Sequence, residues 1–334
     1  METKHIQWDS HGPTVVGILH SPLIRDRIGY GLVMLSWVMK MIWYHGEKKT
    51  SSYFEGWYLK CQTRDGRCLA LIPAIHIDDD GCKTASIQVL TENQSWWLSF
   101  PGDAFHAQKD VFHVQIGSNF YSKHGMELAI HENGIDLEGE IRFGSLEPLR
   151  YSIMGPFEMI PNMECAHGII SMKHSLKGKV SINGETLRFD EGIGYIESDR
   201  GCSFPSSYLW AQDVWEDGSF MLSIAKIPLG KLTFTGCISA IHLNGKEYRI
   251  ATYLGARVKQ WNAQYASVQQ GRYLLEVELL SKREQPLRAP CTGSMLRTVH
   301  ESLCAVIRIR FMHGDKALLD RTTDRAGFEF SNDP

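Results

Sequence analysis

The sequence predicts an all-β protein built from two similar antiparallel halves. One hairpin pattern occupies residues 58–66 and returns at residues 210–218, and both copies end in Asp-Gly. Each copy is followed by an apolar run, 68–72 in the first and 220–224 in the second. Asp-Gly between apolar runs favours a tight hairpin, because glycine tolerates the positive φ that such a turn requires. A hairpin that recurs in the second half of a chain indicates a duplicated architecture.

Short strands and tight turns continue along the chain from Ser52 onward. Runs rich in Val, Ile, Tyr and Phe alternate with turn signals at a spacing of about 8–12 residues, as in barrels and sandwiches. Asn-Gly pairs at 133–134, 183–184 and 244–245 mark further hairpins. Because helical periodicity is nearly absent, we predict two antiparallel β-barrels packed side by side. Besides the repeated hairpins, the predicted strands are 85–90, 111–116, 126–130, 134–143, 179–189, 232–243, 246–254, 271–280 and 305–313.

The predicted organisation has three parts. Residues 1–44 are expected to form a poorly ordered extension, residues 45–190 the first barrel and residues 191–334 the second. An apolar run at 29–44 is interrupted by Lys40 and is shorter than the about 20 residues that a membrane-spanning helix needs. The run also lacks the cleavage site of a signal peptide. We therefore predict no firm membrane insertion, with peripheral contact or a membrane anchor as the alternatives.

The composition is that of a soluble globular protein. Hydrophobic residues make up 43% of the 334 residues and charged residues 22%, and the net charge is −3. This charge and the lack of a Lys/Arg run argue against nucleic acid as a partner. The eight cysteines show neither a CxxC pair nor the spacing of a disulfide framework, which predicts reduced thiols in a cytoplasmic protein. Since motifs for metal or nucleotide chemistry are also missing, we predict neither a metal site nor a cofactor.

The densest cluster of chemically capable residues lies just before the second hairpin copy. Glu197, Asp199 and Arg200 stand within four positions there. In a strand Glu197 and Asp199 share one face, because side chains alternate with a period of two. Two carboxyls on one face repel, which raises one pKa, while Arg200 can keep the other carboxyl ionised. This arrangement fits a general acid, and the alternative is an Arg–Asp bridge that closes a loop.

Two separated blocks of the sequence combine aromatic, acidic and glycine residues. The first is Phe54-Glu55-Gly56-Trp57-Tyr58, and the second contains Gly194-Tyr195, Glu197, Gly201, Phe204-Pro205, Trp210 and Gln212. In this order they resemble the signature blocks of the tocopherol cyclase family, and the resemblance extends roughly over residues 45–330. Plant and cyanobacterial members carry Lys-Asn-Trp after the shared glutamate, where this chain has Ser198-Asp199-Arg200. This difference bears on the substrate more than on the fold.

The resemblance implies two lipocalin-like (calycin-type) barrels and an apolar cavity for a hydrophobic small molecule such as a prenylated quinol. The implied reaction closes a chromanol ring by adding a phenol hydroxyl across a double bond of the prenyl tail, without a cofactor. Such a reaction needs an acid to protonate the alkene and an acceptor for the phenol proton. It also needs apolar walls that fold the tail and exclude water.

We predict that one cavity gathers the residues for this reaction. Aromatic side chains there would stabilise a cationic intermediate by about 1–2 kcal/mol each when desolvated. For the acid, burial that keeps a carboxyl neutral is the main requirement. The predicted catalytic residues are Glu197, Asp199, Arg200 and Glu55, with Glu164 and Glu301 as further candidates for the acid. The predicted substrate-binding residues are Trp57, Tyr58, Tyr195, Trp210, Gln212, Glu164, His167 and His300.

Two other functions remain open at the level of the sequence. Lipocalin-like folds host non-catalytic carriers of hydrophobic ligands as well as enzymes. A hydratase of a prenyl or polyene lipid would use the same acid but add water. The carboxyl pair beside Arg200 favours an enzyme, because a passive apolar carrier does not need it.

Overall fold

The structure, a computed structural model, describes residues 43–160, 163–229 and 232–332. Within these ranges the chain forms 22 β-strands in two antiparallel sheets, which confirms the predicted all-β architecture. Most of the predicted N-terminal extension, with its apolar run as far as residue 42, lies outside the described residues. Short 3₁₀ helices occur at Gly46–Lys48, Gly102–Ala104, Gly155–Met159 and Thr252–Leu254. In the part of the chain described, no helix combines the length and apolar character needed to cross a membrane.

The strands divide between the sheets in chain order. The first sheet contains β1 (Tyr53–Gln62), β2 (Cys68–Ile77), β3 (Lys83–Thr91), β4 (Ser95–Pro101), β5 (Phe105–Ala107), β6 (His113–Ile116), β7 (Asn119–Ser122), β8 (Gly125–Glu132), β9 (Ile135–Phe143), β10 (Cys165–Ile182), β11 (Glu185–Arg188) and β12 (Gly192–Gly201). The second contains β13 (Ser207–Trp215), β14 (Gly218–Leu229), β15 (Leu232–Leu243), β16 (Lys246–Ala251), β17 (Arg257–Trp261), β18 (Tyr265–Gln270), β19 (Tyr273–Ser281), β20 (Gln285–Cys291), β21 (Ser294–His313) and β22 (Lys316–Asn332).

Both sheets repeat one connection pattern. β1 pairs with β2 on one side and with β12, the last strand of its sheet, on the other. β13 likewise pairs with β14 and with β22, the last strand of the second sheet. The two Asp-Gly hairpins therefore join the first and second strands of both sheets, in the equivalent places that the repeat predicts. The full orders are β4-β3-β2-β1-β12-β10-β9-β8-β7-β6-β5 with β11 on β10, and β16-β15-β14-β13-β22-β21-β19-β18-β17 with β20 on β21.

The predicted boundaries of the first barrel differ from the boundaries of the observed first sheet at both ends. β12 was expected to open the second barrel, but it pairs with β1 and β10 of the first sheet. The chain therefore changes sheets between Gly201 and Ser207, and a boundary at residue 191 would separate β12 from its hydrogen-bonding partners. At the other edge Trp43, assigned to the extension, stacks on Phe112 of the first barrel with 5.5 Å between ring centroids.

Asn-Gly pairs form two-residue turns at all three predicted hairpins. The asparagines have φ of 55°, 50° and 51°, and the glycines that follow have φ of 79°, 85° and 71°. Positive φ at both central residues is the type I′ geometry, whose twist matches that of the flanking strands. These turns fix the register of the β8–β9, β10–β11 and β15–β16 hairpins.

Three clusters of buried apolar side chains organise the packing. One fills the first barrel and includes Trp57 and Leu59, and another fills the second barrel and includes Leu209. The third contains Tyr58 and Trp210, from different sheets, and therefore lies between the barrels. Along β1 and β13, neighbouring residues belong alternately to a barrel core and to this interface, as the period of two requires. Nearly every residue of both strands is consequently buried.

Truncation of Trp57 tests whether this side chain supports the core. Trp57 is 1% exposed, and its ring stacks on Phe105 with 6.2 Å between centroids. Replacement by Ala leaves a large buried cavity, so we expect Trp57→Ala to lower the free energy of unfolding by about 3–5 kcal/mol in urea titrations. The control Leu296→Ala removes a side chain that is 81% exposed and should change stability by less than about 0.5 kcal/mol. Equal small effects would contradict the core position of Trp57.

Candidate active site between the barrels

A cavity of about 380 Å³ lies between the outer faces of the two sheets. Its walls are largely apolar and include Met154, Phe157 and Ile238. The volume falls within the range of small-molecule sites, about 300–1,000 Å³. The cavity thus lies in the interface between the barrels, whereas the interior of each barrel is occupied by its own apolar cluster.

Strand alternation decides which side chains of the first sheet reach the cavity. Gly56 and Tyr58 of β1 line it, and so do Glu197 and Asp199 of β12. Tyr58 lies opposite Glu197 across the β1–β12 pair, and Gly56 lies opposite Asp199. The prediction that Glu197 and Asp199 share a face is confirmed. Because Gly56 has no side chain, it leaves room in the cavity wall beside Asp199.

His167 joins the two carboxyl groups. It lies on β10, directly opposite Asp199, and its Nδ1 is 2.9 Å from Asp199 Oδ1. Its Nε2 lies 3.4 Å from Glu197 Oε2 but lacks the alignment of a hydrogen bond. The Cys165 thiol donates to the same Asp199 Oδ1 at 3.4 Å. The imidazole is therefore held between two carboxyl groups in a nearly buried setting.

Electrostatics determine the protonation state of His167. Burial lowers its pKa, but the charges of Asp199 and Glu197 raise it more, so that the pKa of His167 reaches about 10. His167 is therefore an imidazolium at neutral pH. Its positive charge offsets the repulsion between the two carboxylates that flank it.

The same three residues are a possible metal-binding group. His167, Glu197 and Asp199 each offer one ligand atom, and these atoms lie within 4.8 Å of one another. A metal ion would require the neutral imidazole, because a protonated nitrogen cannot act as a ligand. Since the pKa of His167 is about 10, a proton competes strongly for this place at neutral pH.

Glu197 receives hydrogen bonds from both barrels. The Tyr195 hydroxyl donates to Glu197 Oε2 at 2.5 Å, and Trp210 Nε1, from the second barrel, donates to the same oxygen at 3.2 Å. The Trp210 ring also meets the Tyr58 ring edge-on, with 5.4 Å between centroids. The site is therefore composite, and its geometry depends on the packing of the two barrels.

A second pair of carboxyl groups lines the cavity from the other barrel. Glu301 of β21 lies directly opposite Glu329 of β22, so their side chains share one face. The Tyr58 hydroxyl donates to Glu301 Oε1 at 2.5 Å, and the Tyr208 hydroxyl donates to Glu329 Oε1. Glu301 is 2% exposed and Glu329 7%. We refer to Glu301 and Glu329 as the carboxyl dyad.

The carboxyl dyad retains protons at neutral pH. Burial raises the pKa of Glu301 to about 7. Burial together with repulsion from Glu301 raises the pKa of Glu329 to about 8. The hydrogen bonds from Tyr58 and Tyr208 oppose these shifts but do not outweigh them. The dyad as a whole therefore holds at least one proton near pH 7.

Sequence reasoning ranked Glu301 low and missed Glu329. The register of β21 against β22 shifts between Ser302 and Ala305. Val299 and Leu303 face the barrel interface, whereas Ala305 and Ile307 face the core of the second barrel. Because of this reversal, a simple alternation with a period of two along β21 does not predict which face carries Glu301. Glu329 can be recognised as a site residue only from the structure, where it pairs with Glu301.

Seven of the predicted site residues line the cavity. They are Tyr58, Glu164, His167, Glu197, Asp199, Trp210 and Glu301. Tyr195 lies behind this wall, fully buried, and acts on the cavity through its hydrogen bond to Glu197.

Two predicted residues of β1 lie on its other face. Trp57 belongs to the core of the first barrel, which corrects its expected place in the cavity. Glu55 accepts hydrogen bonds from the backbone N–H and the ring of His45, both at 2.8 Å, and from the Tyr53 hydroxyl at 2.7 Å. It therefore anchors the segment before β1. The reason is alternation, since Phe54, Gly56 and Tyr58 are the residues of β1 that line the cavity.

Three other predicted residues also lie away from the cavity wall. Arg200 was expected to hold Asp199, but it alternates to the other face of β12 and pairs with Glu158 at 3.2 Å. Gln212 is fully buried, and its side-chain amide has no hydrogen-bond partner among the described residues. His300 is exposed, because it lies on the opposite face from its neighbour Glu301.

Comparisons with known proteins bear on the fold. Neither the protein-family models nor the curated protein sequences give a match to this chain. Among solved structures it is similar to CghA with Sch210972, at 10% identity and a TM-score of 0.56, over 84% of this chain and 89% of CghA. It is also similar to kievitone hydratase from Nectria haematococca, at 10% identity and a TM-score of 0.50, over 84% and 88% of the two chains.

At these identities the likeness concerns the fold alone. It confirms the predicted fold class, in which two lipocalin-like antiparallel barrels pack side by side. The resemblance to the tocopherol cyclase family remains a prediction.

The raised pKa values make stability depend on pH. The folded protein keeps protons on Glu301, Glu329 and His167 that the unfolded chain releases at lower pH. The contribution of these groups to the free energy of unfolding should therefore fall as pH rises, from about 4.5 to 8 for the carboxyls and from about 6.5 to 10 for His167. Burial lowers the pKa of His76 and His174 to about 3, so these two imidazoles act in the opposite direction below about pH 6.5. We expect a net loss on the order of several kcal/mol between pH 6.5 and 9, measured by urea titration.

A double variant separates the two contributions. Glu301→Gln with Glu329→Gln keeps the hydrogen-bond acceptors but removes the titrating groups. Its stability should rise up to about pH 6.5, because only the unfolded chain protonates His76 and His174 there, and then fall because of His167. An unchanged slope between pH 5 and 6.5 in this variant would contradict the protonated dyad.

Proposed function

We propose that the protein is a cofactor-free cyclase that closes a chromanol-type ring on a prenylated quinol. The observation that carries this proposal is the protonated carboxyl dyad, Glu301 and Glu329, in the wall of an apolar cavity. An acid that stays neutral near pH 7 is what protonation of an alkene requires. A passive carrier would gain nothing from burying two adjacent carboxyl groups.

The dyad supplies the proton in the proposed mechanism. A new C–H bond forms at one alkene carbon and leaves a tertiary cation at the other. The phenol oxygen then attacks the cation and closes the ring, while its proton passes to Glu197 or Asp199. One proton is consumed and one released, so the product is an isomer of the substrate. Proton return from this acceptor to the dyad completes the cycle.

The cavity walls protect the cationic intermediate. Tyr58 and Trp210 present aromatic rings beside the carboxyl groups, and such rings stabilise cations by about 1–2 kcal/mol each when desolvated. Apolar side chains such as Phe157 and Phe234 surround the remaining space and limit water. Entry of one water molecule in place of the phenol would give an alcohol.

Hydration of a prenyl or polyene lipid is the second candidate function. It uses the same acid and cavity, and the fold is shared with kievitone hydratase, whose name records that activity. We prefer cyclisation because the sequence blocks around Glu55 and Glu197 resemble those of the tocopherol cyclase family.

A substrate panel distinguishes these functions. The purified protein is incubated with prenylated quinols, and products are separated by chromatography and weighed by mass spectrometry. Cyclisation gives a product of unchanged mass and shifted retention, whereas hydration adds the mass of one water. Binding of a quinol without any turnover would favour a carrier and contradict the proposed cyclase.

The acid is tested by conservative substitutions in the dyad. Glu301→Gln and Glu329→Gln keep shape and hydrogen bonding but remove the proton, so turnover should fall by about 10²–10⁴-fold while ligand binding survives. The control Glu278→Gln changes an exposed carboxyl on β19 and should leave turnover unchanged. If both dyad variants keep full activity while Glu197→Gln or Asp199→Asn loses it, the acid belongs to the first barrel instead.

Trp210→Leu tests the protection of the cation. Loss of the indole removes one aromatic ring from the intermediate and the hydrogen bond to Glu197 Oε2. We expect a lower rate, because the cation is less stabilised, and a larger fraction of water-trapped alcohol, because a more open cavity admits water to the intermediate. The product ratio measures this effect independently of enzyme concentration. An unchanged ratio would mean that Trp210 does not face the intermediate.

A further inference from the structure

A group of two thiols and a carboxyl lies between the barrels, outside the cavity wall. Cys68 is the first residue of β2, Glu92 follows β3, and Cys304 lies in β21 of the other sheet. Each offers one ligand atom, and these atoms lie within 4.8 Å of one another. Cys68 is fully buried, whereas Cys304 and Glu92 are partly exposed. Solvent can therefore reach the group from one side.

The carboxylate is already held in place next to the thiols. Glu92 Oε1 accepts a hydrogen bond from the backbone N–H of Cys68 at 2.5 Å. The guanidinium of Arg67 lies 3.4 Å from the same oxygen. These contacts orient Glu92 over Cys68, so little rearrangement would be needed for both to bind one ion.

We propose that Cys68, Glu92 and Cys304 form a binding site for a thiophilic divalent metal ion of the Zn²⁺ type. Two thiolates and a carboxylate suit Zn²⁺, which binds sulfur at about 2.3 Å and oxygen at about 2.0–2.2 Å. Tetrahedral geometry then places the two sulfurs about 3.8 Å apart. A disulfide would need about 2.05 Å. Both thiols are free, and their sulfur atoms and the Glu92 oxygen lie within 4.8 Å of one another, which is compatible with the metal geometry.

The charges around the group suit a bound metal. Binding releases one proton from each thiol, so two thiolates and Glu92 contribute three negative charges to the two positive charges of Zn²⁺. One negative charge remains, and Arg67 lies beside it. The fourth position on the metal is left for water, on the solvent side.

This site would join the two barrels. Cys68 and Glu92 belong to the first barrel and Cys304 to the second, so one ion would link them without contacting the carboxyl dyad. Because the unfolded chain lacks a preformed site, binding would stabilise the folded state. The proposed role is structural and is independent of the proposed cyclase.

Metal titration of the whole protein tests the site. The protein is reduced, treated with a chelator, and titrated with Co²⁺ and Zn²⁺ alone. We expect one Co²⁺ per chain with a thiolate-to-cobalt charge-transfer band, displaced by one Zn²⁺. At 100 times the dissociation constant, Zn²⁺ should raise the melting temperature by about 5 °C.

Variants decide which thiols are involved. Cys304→Ser should abolish the charge-transfer band and the thermal shift, and Glu92→Gln should weaken binding at least tenfold. Cys202→Ser, the matched control at another half-buried cysteine, should bind as the parent does. Should Cys68→Ser fail to fold, Cys304→Ser still decides the question. Absence of the band, its persistence in Cys304→Ser, or formation of a Cys68–Cys304 disulfide under mild oxidant without metal binding would overturn the proposal.

Discussion

The strands β1 and β13 are buried on both faces, and the rest of the structure depends on this constraint. Each begins its sheet, and each gives one face to its own barrel core and the other to the interface. Tyr58 and Trp210 meet where these outer faces pack. Because both faces are buried, a polar group on the interface side costs free energy unless it finds a partner within the protein. The cavity is the space where the outer faces of the two sheets do not pack against each other, and the carboxyl groups line this space.

The cavity accommodates acidic groups in two different ways. In the first barrel the imidazolium of His167 lies between Glu197 and Asp199, so charge is balanced by charge. In the second barrel burial outweighs the charges of Lys60 and Arg297, and the raised pKa values of Glu301 and Glu329 keep protons on the pair instead. A carboxyl pair with raised pKa values and a carboxyl pair that flanks an imidazolium thus line one cavity, which is the combination that acid and acceptor roles require.

Part of this arrangement follows from local sequence. Asn-Gly turns fix three hairpins through positive φ at both residues, and alternation places Glu197 beside Asp199. The same alternation was harder to apply to β1, because a doubly buried strand carries large residues on both faces. The sequence predicts both Trp57 and Tyr58 to be cavity residues, yet Trp57 belongs to the barrel core. Glu301 and Glu329 depend on strand pairing and on a register shift in β21, and neither is encoded in a local pattern.

Infrared spectroscopy of the ligand-free protein tests the central claim most directly, because a neutral carboxyl has a carbonyl stretch that a carboxylate lacks. The account predicts a protonated-carboxyl band at pH 7 that disappears on titration to pH 10. The same band should be missing at pH 7 when Glu301→Gln and Glu329→Gln are combined. A spectrum of the parent protein without this band at pH 7, or a band that survives in the double variant, would contradict the protonated dyad.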